Sequence, residues 1–132
     1  MFIKSLSTLA LAAMLTAPLS TPAAADTFER VKIDAGAELF ASDCRRCHSV
    51  DADKASYGPL LEGVIGRRAG SFPDYPYSEA LAGAGFVWTK GALRAWMEAN
   101  DELVPGTKMR HVGITDPTVQ DFIVSYLASL SK

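Results

Sequence analysis

Basic residues are in deficit in this chain of 132 residues: Lys and Arg number 13 against 15 Asp and Glu, a formal net charge of −2. That balance argues against nucleic acid as a partner, which needs a cationic face. Beyond the first 25 residues there is no apolar run long enough for a membrane span, no internal repeat and no low-complexity tract. No segment alternates apolar and polar residues for long enough to nominate a strand, so the fold class expected is all-α with long loops. Cysteine and histidine are scarce, two of each, and three of these four stand together in "DCRRCHSV", Asp43 to Val50.

The opening residues, "MFIKSLSTLALAAMLTAPLSTPAAADTFER", read as an export signal. Lys4 supplies the positive start, an apolar stretch runs from Leu6 to Leu19, and Ala23 and Ala25 suit cleavage before Asp26. The apolar stretch is shorter than the ~20 residues a bilayer span needs. Residues 1–25 are therefore expected to be removed, leaving residues 26–132 as one domain in the periplasm. With Lys4 gone, that domain has a net charge of −3. A domain of this size builds only a modest core without a cofactor or cross-link.

Three helices are expected. Asp34 is placed to cap the first, with Gly36, Leu39, Phe40, Cys44 and Cys47 recurring at intervals of three and four. A glycine- and proline-rich middle, "YGPLLEGVIGRRAGSFPDYPYSEALAGAGF", shows no sustained period and is expected to wrap something rather than form its own core. Thr89 caps a second helix over 90–99, with Leu93, Trp96 and Met97 on one face. Asp116 and Pro117 open the last, whose face is Val119, Phe122, Ile123, Tyr126, Leu127 and Leu130.

Cys44, Cys47 and His48 match C-x-x-C-H, the attachment pattern of c-type haem. Two thiols three residues apart can bond the two vinyl-derived carbons on one edge of the macrocycle, which puts the next residue, His48, under the iron as proximal ligand. Other readings exist for the same residues. A Cys44–Cys47 disulfide of the thioredoxin kind needs a βαβ context that the sequence lacks. A structural zinc site needs four ligands, and outside the motif only His111 and carboxylates remain. A second iron ligand has three candidates, Met97, Met109 and His111; Met97 lies on an apolar helix face, where methionine is most often core.

At this point the sequence resembles a soluble class I c-type cytochrome, close to mitochondrial cytochrome c and its bacterial periplasmic counterparts. The resemblance covers nearly all of residues 26–132. It starts with Gly36 and Phe40, eight and four residues before Cys44, which in this family let the first helix cross the last closely, against the aromatic at Tyr126. "YGPLLEGVIGRRAG" is similar to the segment in which Pro59 supports His48 through its carbonyl. Arg67, Tyr77, Trp88 and Thr107 fall where the family places neighbours of the haem propionates. Trp88 and Met109 are 21 residues apart, and "PGTKM" ends on the methionine. The resemblance therefore implies Met109 as distal ligand, one covalent haem c, and a fold of helices and long loops wrapped around it.

It also implies a one-electron carrier rather than an enzyme, shuttling between Fe(II) and Fe(III) in a respiratory or photosynthetic chain. The partners implied are redox proteins met transiently by a monomer: membrane-bound cytochrome complexes, oxidases or reaction centres, or a periplasmic dehydrogenase. Arg45, Arg46, Lys108 and Arg110 flank the ligand segments as a local basic patch, with Lys54 and Lys90 further out. Three residues depart from the family. Trp96 stands where a tyrosine usually meets the methionine sulfur, Leu81 replaces a polar residue, and His111 takes the place of an aromatic that covers the haem edge. These keep alternatives in view: a haem enzyme or gas sensor with a labile sixth ligand, or a haem subunit of a larger oxidoreductase.

Overall fold

The computed structural model describes residues 23–49 and 57–131. Four helices follow in order, α1 (Ala23–Asp43), α2 (Glu79–Ala82), α3 (Lys90–Leu103) and α4 (Pro117–Ser129). The β pairing among the described residues is an isolated bridge between Arg68 and Val87, so the all-α class with long loops holds. None of the described helices is long and apolar enough to cross a membrane. Most of the export signal, residues 1–22, and Lys54 of the basic patch lie outside the described residues.

Helix α1 does not start at Asp34. It runs from Ala23, and Asp34 is an exposed residue in its interior. The cause is local: residues 23–33 contain neither glycine nor proline, so nothing stops the helix from extending upstream of a good capping residue. Where α1 passes α4, a Cβ at Gly36 would come within 3.0 Å of the Phe122 carbonyl and 2.9 Å from Tyr126 Cβ. Only glycine permits that approach. One turn on, Phe40 is 1% exposed, and its ring lies 5.4 Å from that of Tyr126, tilted by 50°.

The caps of the other two long helices are the expected ones. Thr89 Oγ1 accepts from the Ala92 N–H, and Asp116 accepts from Thr118 and Val119 with Pro117 at the first helical position. Helix α3 buries Leu93, Trp96 and Met97 as expected, leaves helical dihedrals at Ala99 (φ −153°, ψ 74°), and resumes to Leu103. The buried arc of α4 differs from the expected stripe. Ile123 and Leu127 are buried, but so are Gln120 and Val124, while Val119, Phe122, Tyr126 and Leu130 are half-buried. Packing against α1 on one side and α3 on another widens the arc. Gln120 is tolerated there because its Nε2 donates to the Ile114 carbonyl at 2.6 Å.

The middle segment carries the one-turn α2, capped by Ser78, which is too short to leave a period in the sequence. Val64, Ala69, Leu81 and Trp88 bring this segment into the common core. Trp88 stands edge-to-face with both Phe86 and Trp96, at 4.8 and 5.1 Å.

Three helices share one ion cluster. Asp121 of α4 pairs with Lys32 of α1 at 2.7 Å and with Arg94 of α3. The Lys32 hydrogen bond, aided by Arg94, holds the Asp121 carboxyl below the usual carboxylate range. Such a group adds stability that is in place above its unfolded pKa of about 4 and is lost as pH falls through the lower folded value. Urea titrations across this acid range will show the chain weakening, and Asp121→Asn will flatten that limb. At neutral pH the substitution will cost about 1 kcal/mol or less, because the cluster is partly exposed and screened.

Candidate functional site

The end of α1 tightens into a turn that carries the cysteine motif. Cys44 and Arg45 N–H groups both donate to the Phe40 carbonyl, and those of Cys47 and His48 to the Cys44 carbonyl, all at 2.9 to 3.0 Å. Neither cysteine is in a disulfide, and both are half-buried. Burial pushes the Cys44 thiol up to about 11, with the Asp43 carboxylate and Cys47 adding to the rise. It is therefore a neutral thiol at pH 7, unlike the activated thiolate of a thioredoxin-type pair. Among the described residues no group of three or more His, Cys, Asp or Glu side chains is arranged to hold a bare metal ion.

His48 is 8% exposed, and its Nδ1 lies 2.6 Å from the Pro59 carbonyl. A carbonyl only accepts, so Nδ1 carries the hydrogen. Burial pushes the imidazole below the usual histidine range, so the ring is neutral and its Nε2 keeps a free lone pair. Gly58 backs the ring: a Cβ there would fall within 3.0 Å of three of its atoms. The Gly58 N–H also donates to the Cys47 carbonyl at 3.0 Å, closing the loop back onto the motif.

Arg45 does not belong to a surface patch. Its guanidinium pairs with Glu62 at 2.6 Å, donates to the His48 carbonyl at 3.2 Å and lies over the Phe40 ring at 4.9 Å. Burial alone would raise the Glu62 carboxyl, but backbone N–H donors and Arg45 outweigh it and hold it below its usual value. Arg67 is half-buried and donates to the Leu60 carbonyl at 2.9 Å and the Glu62 carbonyl at 3.4 Å, with its guanidinium over Phe72. Arg45 and Arg67 thus grip the loop that presents Pro59. Tyr77 is half-buried and edge-on to Tyr75 at 4.7 Å, whereas Thr107 is 2% exposed.

On the α3 side, Trp96 Nε1 donates to Met109 Sδ at 2.9 Å, and Asn100 Nδ2 donates to the Met109 carbonyl at 2.9 Å. The indole meets the sulfur where the departure from the family pattern suggested. Asn100 is a site residue that the sequence reading missed, though its signal was there: a polar residue four positions after Trp96, on the apolar face. Met97 is buried in the core. His111 is exposed, and its Nε2 lies 3.1 Å from the Met97 carbonyl, so its ring is held against α3.

Two thiols in one turn, a neutral imidazole with Nε2 free, and a thioether oriented by an indole N–H make a donor set that fits covalent haem c. The comparisons agree with the chemistry. A sequence model of the family described as Cytochrome c matches residues 33–131. Cytochrome c2 of Rhodopila globiformis is 41% identical over 95 residues, covering 72% of this chain and 90% of the relative. Cytochrome c2 of Agrobacterium tumefaciens (strain II Chrys) is 42% identical over 88 residues, covering 64% and 79%. Among solved structures, cytochrome cH from Methylobacterium extorquens superposes with a TM-score of 0.67 at 38% identity, covering 74% of this chain and 97% of that one.

The contact between Gly58 and the His48 ring gives a direct test. Gly58→Ala will force the ring or the loop to move and lower stability by about 1–3 kcal/mol, as overpacking does. Chemical denaturation of the purified protein will measure it.

Proposed function

Because the chain belongs to the cytochrome c family, we propose that it is a one-electron carrier with His48 and Met109 as axial donors and Cys44 and Cys47 as covalent anchors. Its fold is the class I cytochrome c fold expected from the sequence. Family membership places it among electron carriers rather than enzymes, with covalently bound haem c. Haem c, when bound, supplies a reversible Fe(II)/Fe(III) couple.

The observation that carries the axial assignment is the Trp96 N–H on Met109 Sδ. Sulfur in a thioether has two lone pairs; the indole hydrogen takes one and fixes the direction of the other. A tyrosine hydroxyl can turn to accept, but an indole only donates, so this bond has one polarity. It draws density from the sulfur and favours the reduced centre, as does the choice of a soft thioether over a second imidazole. Buried Val64, Leu93, Trp96 and Leu127 supply an apolar wall, while Leu60 and Leu61 are half-buried. Arg67, Tyr77, Trp88 and Thr107 are assigned as neighbours of the cofactor's carboxylate arms, with Arg67 as the cation.

The working domain is residues 26–132, a monomer acting in the periplasm once the signal is cleaved before Asp26. On that reading the mature α1 starts at Asp26. Docking to redox proteins, whether membrane-bound complexes, oxidases, reaction centres or a periplasmic dehydrogenase, is assigned to the exposed cations Arg46, Lys108 and Arg110, with Lys90 outside them. Val112, 91% exposed, gives this loop an apolar tip. Arg45 is left out because Glu62 neutralises it.

The oxidised, haem-loaded protein will show the far-red absorption band expected of thioether-bound Fe(III), and Met109→Ala will lose it. Trp96→Phe will keep the band but lower the reduction potential by up to about 40 mV, the one-electron equivalent of a hydrogen bond of about 1 kcal/mol. Electron transfer to a redox partner will slow with rising ionic strength and with the pair Arg46→Glu and Lys108→Glu. Rates indifferent to both would remove this patch as the docking face.

A further inference from the structure

Helix α3 breaks at Ala99, and the last carbonyls of a regular helical run have no partners within it. One of those carbonyls, that of Met97, is used by the loop that carries Met109. It accepts the Ile114 N–H at 2.8 Å and His111 Nε2 at 3.1 Å. Since a carbonyl only accepts, Nε2 is the protonated nitrogen of that ring. Between the two donors, Gly113 lies so close to the break that a Cβ would come within 3.0 Å of the Glu98 carbonyl oxygen. Asn100, just past the break, holds the Met109 carbonyl. The segment from Met109 to Ile114 is thus seated on the broken end of α3 by four separate contacts. His111 is the only one of the four made by a side chain of the loop itself.

We propose that His111 is a positioning residue for Met109: its bond to the Met97 carbonyl at the break in α3 keeps the methionine loop seated and so sets how often the thioether leaves its ligand position. The proposal rests on the His48/Met109 reading. On this view His111 is not a rival ligand, because its Nε2 is already engaged as a donor to α3. An outside ligand reaches the distal position only when Met109 departs. That departure moves a loop whose closure the Met97 carbonyl stabilises. Losing one of its two donors shifts the loop toward the open state without touching the sulfur or its indole partner.

The test is the rate at which exogenous imidazole binds the oxidised, haem-loaded protein, followed together with the far-red band. Four proteins are compared: the unsubstituted chain, His111→Ala, His111→Gln and Gly113→Ala. His111→Ala should keep the band at rest and bind imidazole about fivefold faster, the factor carried by a hydrogen bond of about 1 kcal/mol. His111→Gln, whose amide N–H can reach the same carbonyl, should return to within about twofold of the unsubstituted rate. Gly113→Ala unseats the loop while keeping the imidazole and should also bind faster; if it does not fold, the two His111 variants decide. An unchanged rate in His111→Ala overturns the proposal. A slower one does so too, since it would mean that His111 helps Met109 leave rather than holding its loop seated. Absence of the far-red band from the unsubstituted protein would instead overturn the axial reading beneath it.

Discussion

The close crossing of α1 and α4 at Gly36 is the constraint from which the site's placement follows. Any side chain at that position would strike the Phe122 carbonyl and Tyr126. Gly36, Phe40 and Cys44 are spaced by four along α1, so the crossing point, the aromatic that fills behind it and the first thiol lie along one side of the helix. At 1.5 Å per residue, the thiol is about 12 Å along the axis from the glycine. A rigid helix transmits the crossing geometry over that distance. The position of Cys44, Cys47 and His48 relative to the core is thereby set by a contact in which none of them takes part. The ion cluster of Lys32, Asp121 and Arg94 fixes the same helices from outside.

What the helices do not hold, side chains bonding to backbone carbonyls do. With almost no sheet among the described residues, the loop carbonyls must find other partners, because buried polar groups are not left without hydrogen bonds. Here the partners are residues of the site itself. His48 binds the Pro59 carbonyl, Arg67 that of Leu60, Asn100 that of Met109 and His111 that of Met97. Lys108 and Arg110 do the same at Pro76 and Thr107. Each such bond orders a loop and orients a functional group at once. The cost of moving any of these groups is shared with a stretch of backbone, which suits a centre that must change charge without changing shape.

How much of this was legible depended on how local the cause was. The capping signals at Thr89 and Asp116 act within one turn, and both helices begin where those residues place them. The cysteine motif was legible because attachment chemistry fixes its spacing, and Trp96 because the family resemblance puts it where a tyrosine usually meets the methionine sulfur. Asp34 misled because a capping residue starts a helix only if the chain before it stops being helical, which it does not. Arg45 looked like a surface cation between two cysteines; its partner, Glu62, is 17 residues away and depends on how the loop folds back. The break at Ala99 has no proline or glycine to announce it, so the direction of the His111 ring had no trace in the sequence.

The same distinction sorts the cations of an acidic chain into two kinds. Arg45 and Arg67 are turned inward, the first neutralised by Glu62 and the second bound to carbonyls, so neither contributes much field beyond the surface. Arg46, Lys108 and Arg110 keep their charge at the surface, and Val112 stands exposed beside two of them. A carrier has to be captured quickly and released quickly. Long-range attraction from a few exposed charges raises the encounter rate, and it is screened within about 10 Å at moderate salt. A small apolar tip adds contact only once the partners touch. An acidic remainder repels wrong orientations of an acidic partner, so a net negative protein with a local cationic rim docks more selectively than one that is basic all over.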